Sequence, residues 1–136
     1  VALSDRSGIS RLHIQDTTPG SALHTESGEP LERTLAGRPV VWQEGIAAVT
    51  LDTFCRETGL APNGIKMDVD GTEPRVLAGG QDILGSPSLR SLILEMPGEP
   101  SARRTCEARL GEAGFARRWR DPHGQSQNEI WKRDSA

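Results

Sequence analysis

Five charged residues near the middle of the chain have the types and spacing to do acid–base chemistry. In "IKMDVDGTEPRVLAGG" (65–80), Lys66, Asp68 and Asp70 occupy alternate positions of an apolar strand pattern, and Glu73 opens a helical one. Alternation puts Lys66, Asp68 and Asp70 on one side of a strand. A second apolar run, "SLILEM" (91–96), carries Glu95 at its end, where a neighbouring parallel strand would set it beside Asp68. A carboxylate within hydrogen-bond reach of a hydroxyl can take its proton or aim its lone pair. Lys66 would stabilise these carboxylates or bind substrate; a plain ion pair closing the sheet edge explains it equally. Glu73 also has two sufficient roles, facing a crevice or offsetting the positive end of its own helix. Carboxylates converging from Asp68, Asp70 and Glu95 are, in addition, hard oxygen ligands of the kind that hold a divalent cation.

Elements must position these groups. Residues 1–3 and 9–14 are apolar or alternating runs separated by "SDRSG", which predicts a hairpin or a strand with a return. Residues 16–39 have little periodicity and many Gly, Pro, Ser and Thr, the composition of a long loop. Residues 40–42 and 46–49 read as one bulged strand or two short ones. Thr50 is an N-cap for a helix with Leu51, Phe54 and Cys55 on its apolar face, stopped at Gly59. A strand over 65–69 follows, then a helix capped by Thr72 with Pro74 in its first turn. The run at 91–96 has the continuous apolar character of a strand buried on both faces. A helix opens at Pro100 and Ser101, and two closing strands (115–119 and 129–132) are joined by "DPHGQSQ". From Thr50 on, the order helix, strand, helix, strand, helix, strand, strand predicts an α/β fold, its sheet mostly parallel and finished by an antiparallel hairpin.

The totals narrow the function classes. A chain of 136 residues makes one domain of ordinary size, and 35% hydrophobic residues make its core thin. A net charge of -3 gives no electrostatic case for nucleic acid or an anionic membrane. The cluster "ARRWR" (116–120) reads as a charged strand edge. No apolar run approaches membrane-spanning length. Cys55 and Cys106 form no CxxC pair and the three histidines are scattered, so a zinc site is not indicated. Two lone thiols on helical faces fit a reduced, cytoplasmic protein.

The segments "TLDTF" (50–54), "IKMDVDGTEPRVLAGG" (65–80) and "LILEM" (92–96) together resemble the FkbM-type methyltransferase family. That family is similar here in a Leu-Asp pair opening a helix, a Lys-x-Asp-x-acid-Gly-x-Glu strand end, a Val-Leu-x-Gly helix and a strand ending in Glu. "VALSD" with Gly8 looks like the segment after its third core strand, and "QNEIWKR" like its last strand. Asp70 departs from the pattern, where the family more often has glutamate. The resemblance implies a Rossmann-like sheet of which residues 1–136 are the C-terminal part, without the first strands. No Gly-x-Gly turn of the type that grips most of the cofactor follows a strand here.

The implied reaction moves a methyl group from S-adenosylmethionine to a hydroxyl of a sugar or secondary metabolite. On this resemblance Asp68, Lys66 and Glu95 are catalytic, Asp70 and Glu73 bind substrate, and Ser4, Asp5 and Asp68 edge the cofactor. Turn chemistry is the better account of Asp5 to Gly8. A metal is not implied by the resemblance. These residues alone are expected to bind cofactor weakly and to transfer little or no methyl. A rival reading is a non-catalytic module that binds, or pairs with a second copy through an exposed sheet edge.

Overall fold

The computed structural model describes residues 1–134. It contains two four-stranded mixed sheets. The first is built from β1 (Ala2–Leu3), β2 (Gly8–Ile14), β3 (Thr25–Ser27) and β4 (Trp42–Val49), in the order β1-β4-β2-β3. The second is built from β5 (Gly64–Met67), β6 (Ser91–Glu95), β7 (Phe115–Arg120) and β8 (Asn128–Arg133), in the order β5-β6-β8-β7. Helices α1 (Leu51–Thr58), α2 (Glu73–Ala78), α3 (Gln81–Gly85) and α4 (Pro100–Glu112) complete the fold.

This arrangement overturns the expectation of a mostly parallel Rossmann-like sheet. Among the described residues only β1–β4 and β5–β6 pair parallel; the pairings β2–β3, β2–β4, β6–β8 and β7–β8 are antiparallel. The physical reason lies in the connections. Helix α1 leads from one sheet to the other instead of returning to its own, so only β5 and β6 are joined by a helical crossover. After α4 the chain runs to the far edge as β7, and β8 turns back antiparallel into the space beside β6. The closing hairpin is present, with a register shift between Arg117 and Trp119.

Three local expectations change as well. β1 and β2 do not form a hairpin, because β4 lies between them. β4 is one strand, in unbroken register with β2 from Gly8↔Ala48 to Ile14↔Trp42. β6 is buried on one face only, since Ile93 is exposed. The long loop over 16–39 is interrupted by β3 and stitched onto the first sheet: the Leu31 N–H donates to His13 Nε2 (3.2 Å) and the Leu35 N–H to Thr25 Oγ1 (2.9 Å).

The core lies between the second sheet and α2, α3 and α4, with Leu77, Leu89, Leu92, Leu94 and Leu110 fully buried in it. Caps fix where the helices start. Thr50 Oγ1 accepts the Thr53 N–H at 3.1 Å, and Gly59 closes α1 in the left-handed region at φ 70. Thr72 makes no such cap; its hydroxyl turns back to the Val69 carbonyl at 3.1 Å. Asp52, in the first turn of α1, accepts the N–H groups of Asp82 (3.1 Å) and Ile83 (2.9 Å) and so caps α3. No helix among the described residues is long and apolar enough to cross a membrane.

Candidate functional site

The β5–β6 pair sets up the site. Its parallel register runs Lys66↔Ile93 and Met67↔Leu94, so the next residues, Asp68 and Glu95, meet at the C-terminal ends of the two strands. Their carboxyls share a hydrogen bond, which raises Glu95 above the ordinary carboxyl range. Burial adds to that rise, as do the negative charges of Asp68, Asp70 and Glu73. Asp68 is held below its usual range by the same hydrogen bond and by Lys66. Two carboxyls so close disfavour each other's ionisation. Lys66 Nζ stands 3.3 Å from Asp68 Oδ2 in a pair open to solvent.

Asp70 leaves the expected row of alternating side chains. β5 ends at Met67, and Asp70 adopts φ 53, a left-handed conformation that Asp tolerates better than most residues. Its Oδ2 accepts the Leu23 N–H at 3.1 Å, tying the long loop to the strand end. Lys66 and Asp68 accordingly face a hollow of ≈ 240 Å³ beside β5, whereas Asp70 faces a larger cavity on the other side. Leu3 and Leu51 stand across that hollow, so the open edge of β5, expected to be bare for a second copy, is partly covered.

The larger cavity is ≈ 460 Å³, within the range of small-molecule sites. Leu23, Leu35, Met96, Pro97 and Ala102 give it apolar walls, and Asp70, Glu73, Glu95 and Glu99 give it carboxyls. Leu23 and Leu35 come from the long loop. Glu73 is buried at 1% exposure, and its Oε1 accepts the N–H groups of Val69 and Gly71, each at 3.3 Å. It therefore serves the bend between β5 and α2 as well as lining the cavity. Its Oε2 is buried and has no hydrogen-bond partner among the described residues. Glu99 at the rim caps α4 by accepting the Ser101 hydroxyl (2.6 Å) and the N–H groups of Ser101 (2.9 Å) and Ala102 (2.7 Å). These bonds pull its carboxyl down to about 2.

Family models, curated proteins and solved structures show no match to this chain. The geometry must carry the functional reading.

Ser4 and Asp5 stand apart from the cavity. Ser4 is buried, and its hydroxyl donates to Glu26 Oε2 at 2.9 Å. Arg75 reaches from α2 to Ser4 Oγ (2.7 Å), Asp5 Oδ1 (3.1 Å) and the Glu26 carbonyl (2.9 Å). Ser10 closes the network on Glu26 Oε1. These side chains join the two sheets and have little capacity left for ribose hydroxyls. No three His, Cys, Asp or Glu side chains among the described residues are grouped so as to hold a metal ion. Cys106 is buried in the core, and burial pushes its thiol up to about 12, so it is no thiolate nucleophile at neutral pH.

Sequence reasoning missed two charged centres: Arg75 with Glu26, and Glu129, which is fully buried and meets Arg103 of α4. It also missed Leu23 and Leu35 as cavity walls. The available signal was the few isolated leucines, Leu23, Leu31 and Leu35, in an otherwise polar loop.

The carboxyl pair gives the first expected result. Glu95, raised in the fold, contributes stability that is full below its ordinary value of 4.5 and is lost as pH rises through its folded value. Asp68, lowered in the fold, contributes stability that is present above 3.8 and lost as pH falls. Thermal melts followed by circular dichroism from pH 3.5 to 7.5 should therefore show the advantage of wild type over Glu95→Gln to be largest near pH 4 and to shrink toward neutrality. A difference that stays constant with pH would mean the two carboxyls are not coupled.

Proposed function

We propose that the chain supplies the acceptor side of a methyl-transfer site: the cavity binds a small hydroxyl-bearing molecule, and the Asp68–Glu95 pair takes up its proton. The observation that carries this reading is the meeting of two carboxyls at adjoining parallel strand ends, one of them lining an apolar-walled cavity. The resemblance of residues 65–80 and 92–96 to FkbM-type methyltransferases supplies the reaction class.

A hydroxyl bonded to Glu95 loses its proton to that carboxyl as the oxygen becomes nucleophilic, while the proton already on Glu95 moves to Asp68. Lys66 beside Asp68 keeps that acceptor ionised until it is needed. The apolar walls exclude water, which strengthens each of these interactions. S-adenosylmethionine would supply the methyl group, but Ser4 and Asp5 do not fit it. Both are committed to Arg75 and Glu26, and no step is assigned to them.

Titration with 2-phenylethanol, followed by amide NMR, tests the acceptor site. The signals expected to move are those of residues 35–36, 70–73, 95, 96 and 98, and Glu95→Gln should reduce the affinity severalfold. Shifts confined to other surfaces, or none at millimolar probe, would remove the site and the reading with it.

A further inference from the structure

The cavity presents four carboxyl side chains and no lysine, arginine or histidine. Three of those carboxyls have accounts inside the protein: Asp70 holds the Leu23 N–H, Glu99 caps α4, and Glu95 pairs with Asp68. Glu73 does not have a complete one. Both bonds from the bend at Val69 and Gly71 go to Oε1, and Oε2 is left buried without a donor.

A buried carboxylate oxygen without a donor costs the fold on the order of 1–3 kcal/mol or more. A hydrogen-bond donor brought by a ligand would relieve that cost. The complementary group is positively charged, because the other carboxyls around it would repel an anion and leave a neutral donor with only part of the available attraction. The apolar walls from Leu23, Leu35, Met96 and Pro97 require the rest of the ligand to be a hydrophobic body.

We propose that the cavity takes a small organic cation, a molecule with a protonated amine on an apolar frame, and that the Glu73 carboxyl, which lines the cavity, receives its N–H. This inference rests on the acceptor-site reading above and names the substrate class for it: an amine-bearing alcohol. The ammonium sits at Glu73 and the hydroxyl at Glu95. Lysine-like amines without an apolar body would gain the charge contact but leave the walls wet, and so bind more weakly.

Calorimetry with 2-phenylethylamine and 2-phenylethanol, matched in shape and differing in charge, tests it. The amine should bind about tenfold or more tightly than the alcohol at low salt, and the gap should narrow as salt rises. Glu73→Gln should erase most of that preference. Should Glu73→Gln fail to fold, Asp70→Asn provides the second variant, since Asn tolerates the left-handed backbone and can still accept the Leu23 N–H; it should reduce the amine preference severalfold. Equal binding of the two probes would overturn the cation assignment and leave the hydroxyl-acceptor site standing. Amine binding that both variants leave intact would overturn it too. Failure of both probes to bind would end both readings.

Discussion

Gly79→Ala is expected to cost about 3 kcal/mol, at the upper end of the usual penalty for forcing extra volume into a packed interior. A methyl group there would drive into the carbonyl oxygen of Ser4 and come within 3.1 Å of Thr50 Cβ. The obstacle at Ser4 is backbone, so no rotamer change relieves it. Gly79 also gives its carbonyl to the Asp52 N–H at 3.0 Å. At this one residue the end of α2 presses against the end of β1 and the start of α1, which fixes how the two sheets meet. A melting temperature lowered by about 10 °C is the corresponding readout. Gly111→Ala is the control. It lies inside α4 with open space around the added carbon, and should stabilise by about 0.5–1 kcal/mol. If Gly79→Ala melts within 2 or 3 °C of wild type, roughly a fourfold smaller perturbation than a backbone clash implies, the contact between α2 and β1 is looser than described.

The same junction shows what could be read from the residues and what could not. The start of α1 at Thr50, its stop at Gly59 and the apolar strands on either side of α2 follow from local chemistry, because caps, left-handed turns and alternation act within a few residues. The meeting of Asp68 and Glu95 was legible too. Two apolar runs ending in acids, joined by a helical segment, imply parallel neighbours whose ends coincide. The sheet as a whole was not legible. Whether a strand pairs parallel or antiparallel is decided by where the chain returns, and nothing in 115–120 or 42–49 states which neighbour it will find. The bend after Met67 was also hidden. Asp70 looks like the next member of an alternating row until its positive φ turns it toward the cavity. Buried charge was hidden for a related reason: Glu129 and Glu26 sit in polar stretches that read as surface, and become interior only when arginines from distant helices close over them.

Glu129 carries the other large expected effect. It is fully buried on β8, with Oε2 accepting the Trp131 indole N–H at 3.0 Å. Oε1 meets Arg103 of α4, and Arg117 Nη1 lies 3.5 Å away. Arg103 is itself mostly buried and would keep only Glu107, at 3.2 Å, as a charged partner, so Glu129→Gln leaves its charge partly unpaired and should cost about 3–5 kcal/mol, the usual result of breaking one side of a buried pair. Arg117 is half exposed and can turn to water, which places the expectation toward the lower figure. The loss would not stay local. Arg103 is the clamp between α4 and the sheet, and the first turn of α4 carries Ala102 and the Glu99 cap into the cavity wall. Loosening the clamp should therefore weaken 2-phenylethanol binding in the surviving folded fraction as well as lower the melting temperature. Replacing both partners separates charge from packing. Glu129→Leu with Arg103→Met removes the buried charges together and should recover most of the lost stability, since apolar groups of similar volume often match or exceed a buried ion pair. If the double variant is as unstable as Glu129→Gln, the shape of the Glu129 side chain and its bond to Trp131 hold α4 in place, and the ion pair does not.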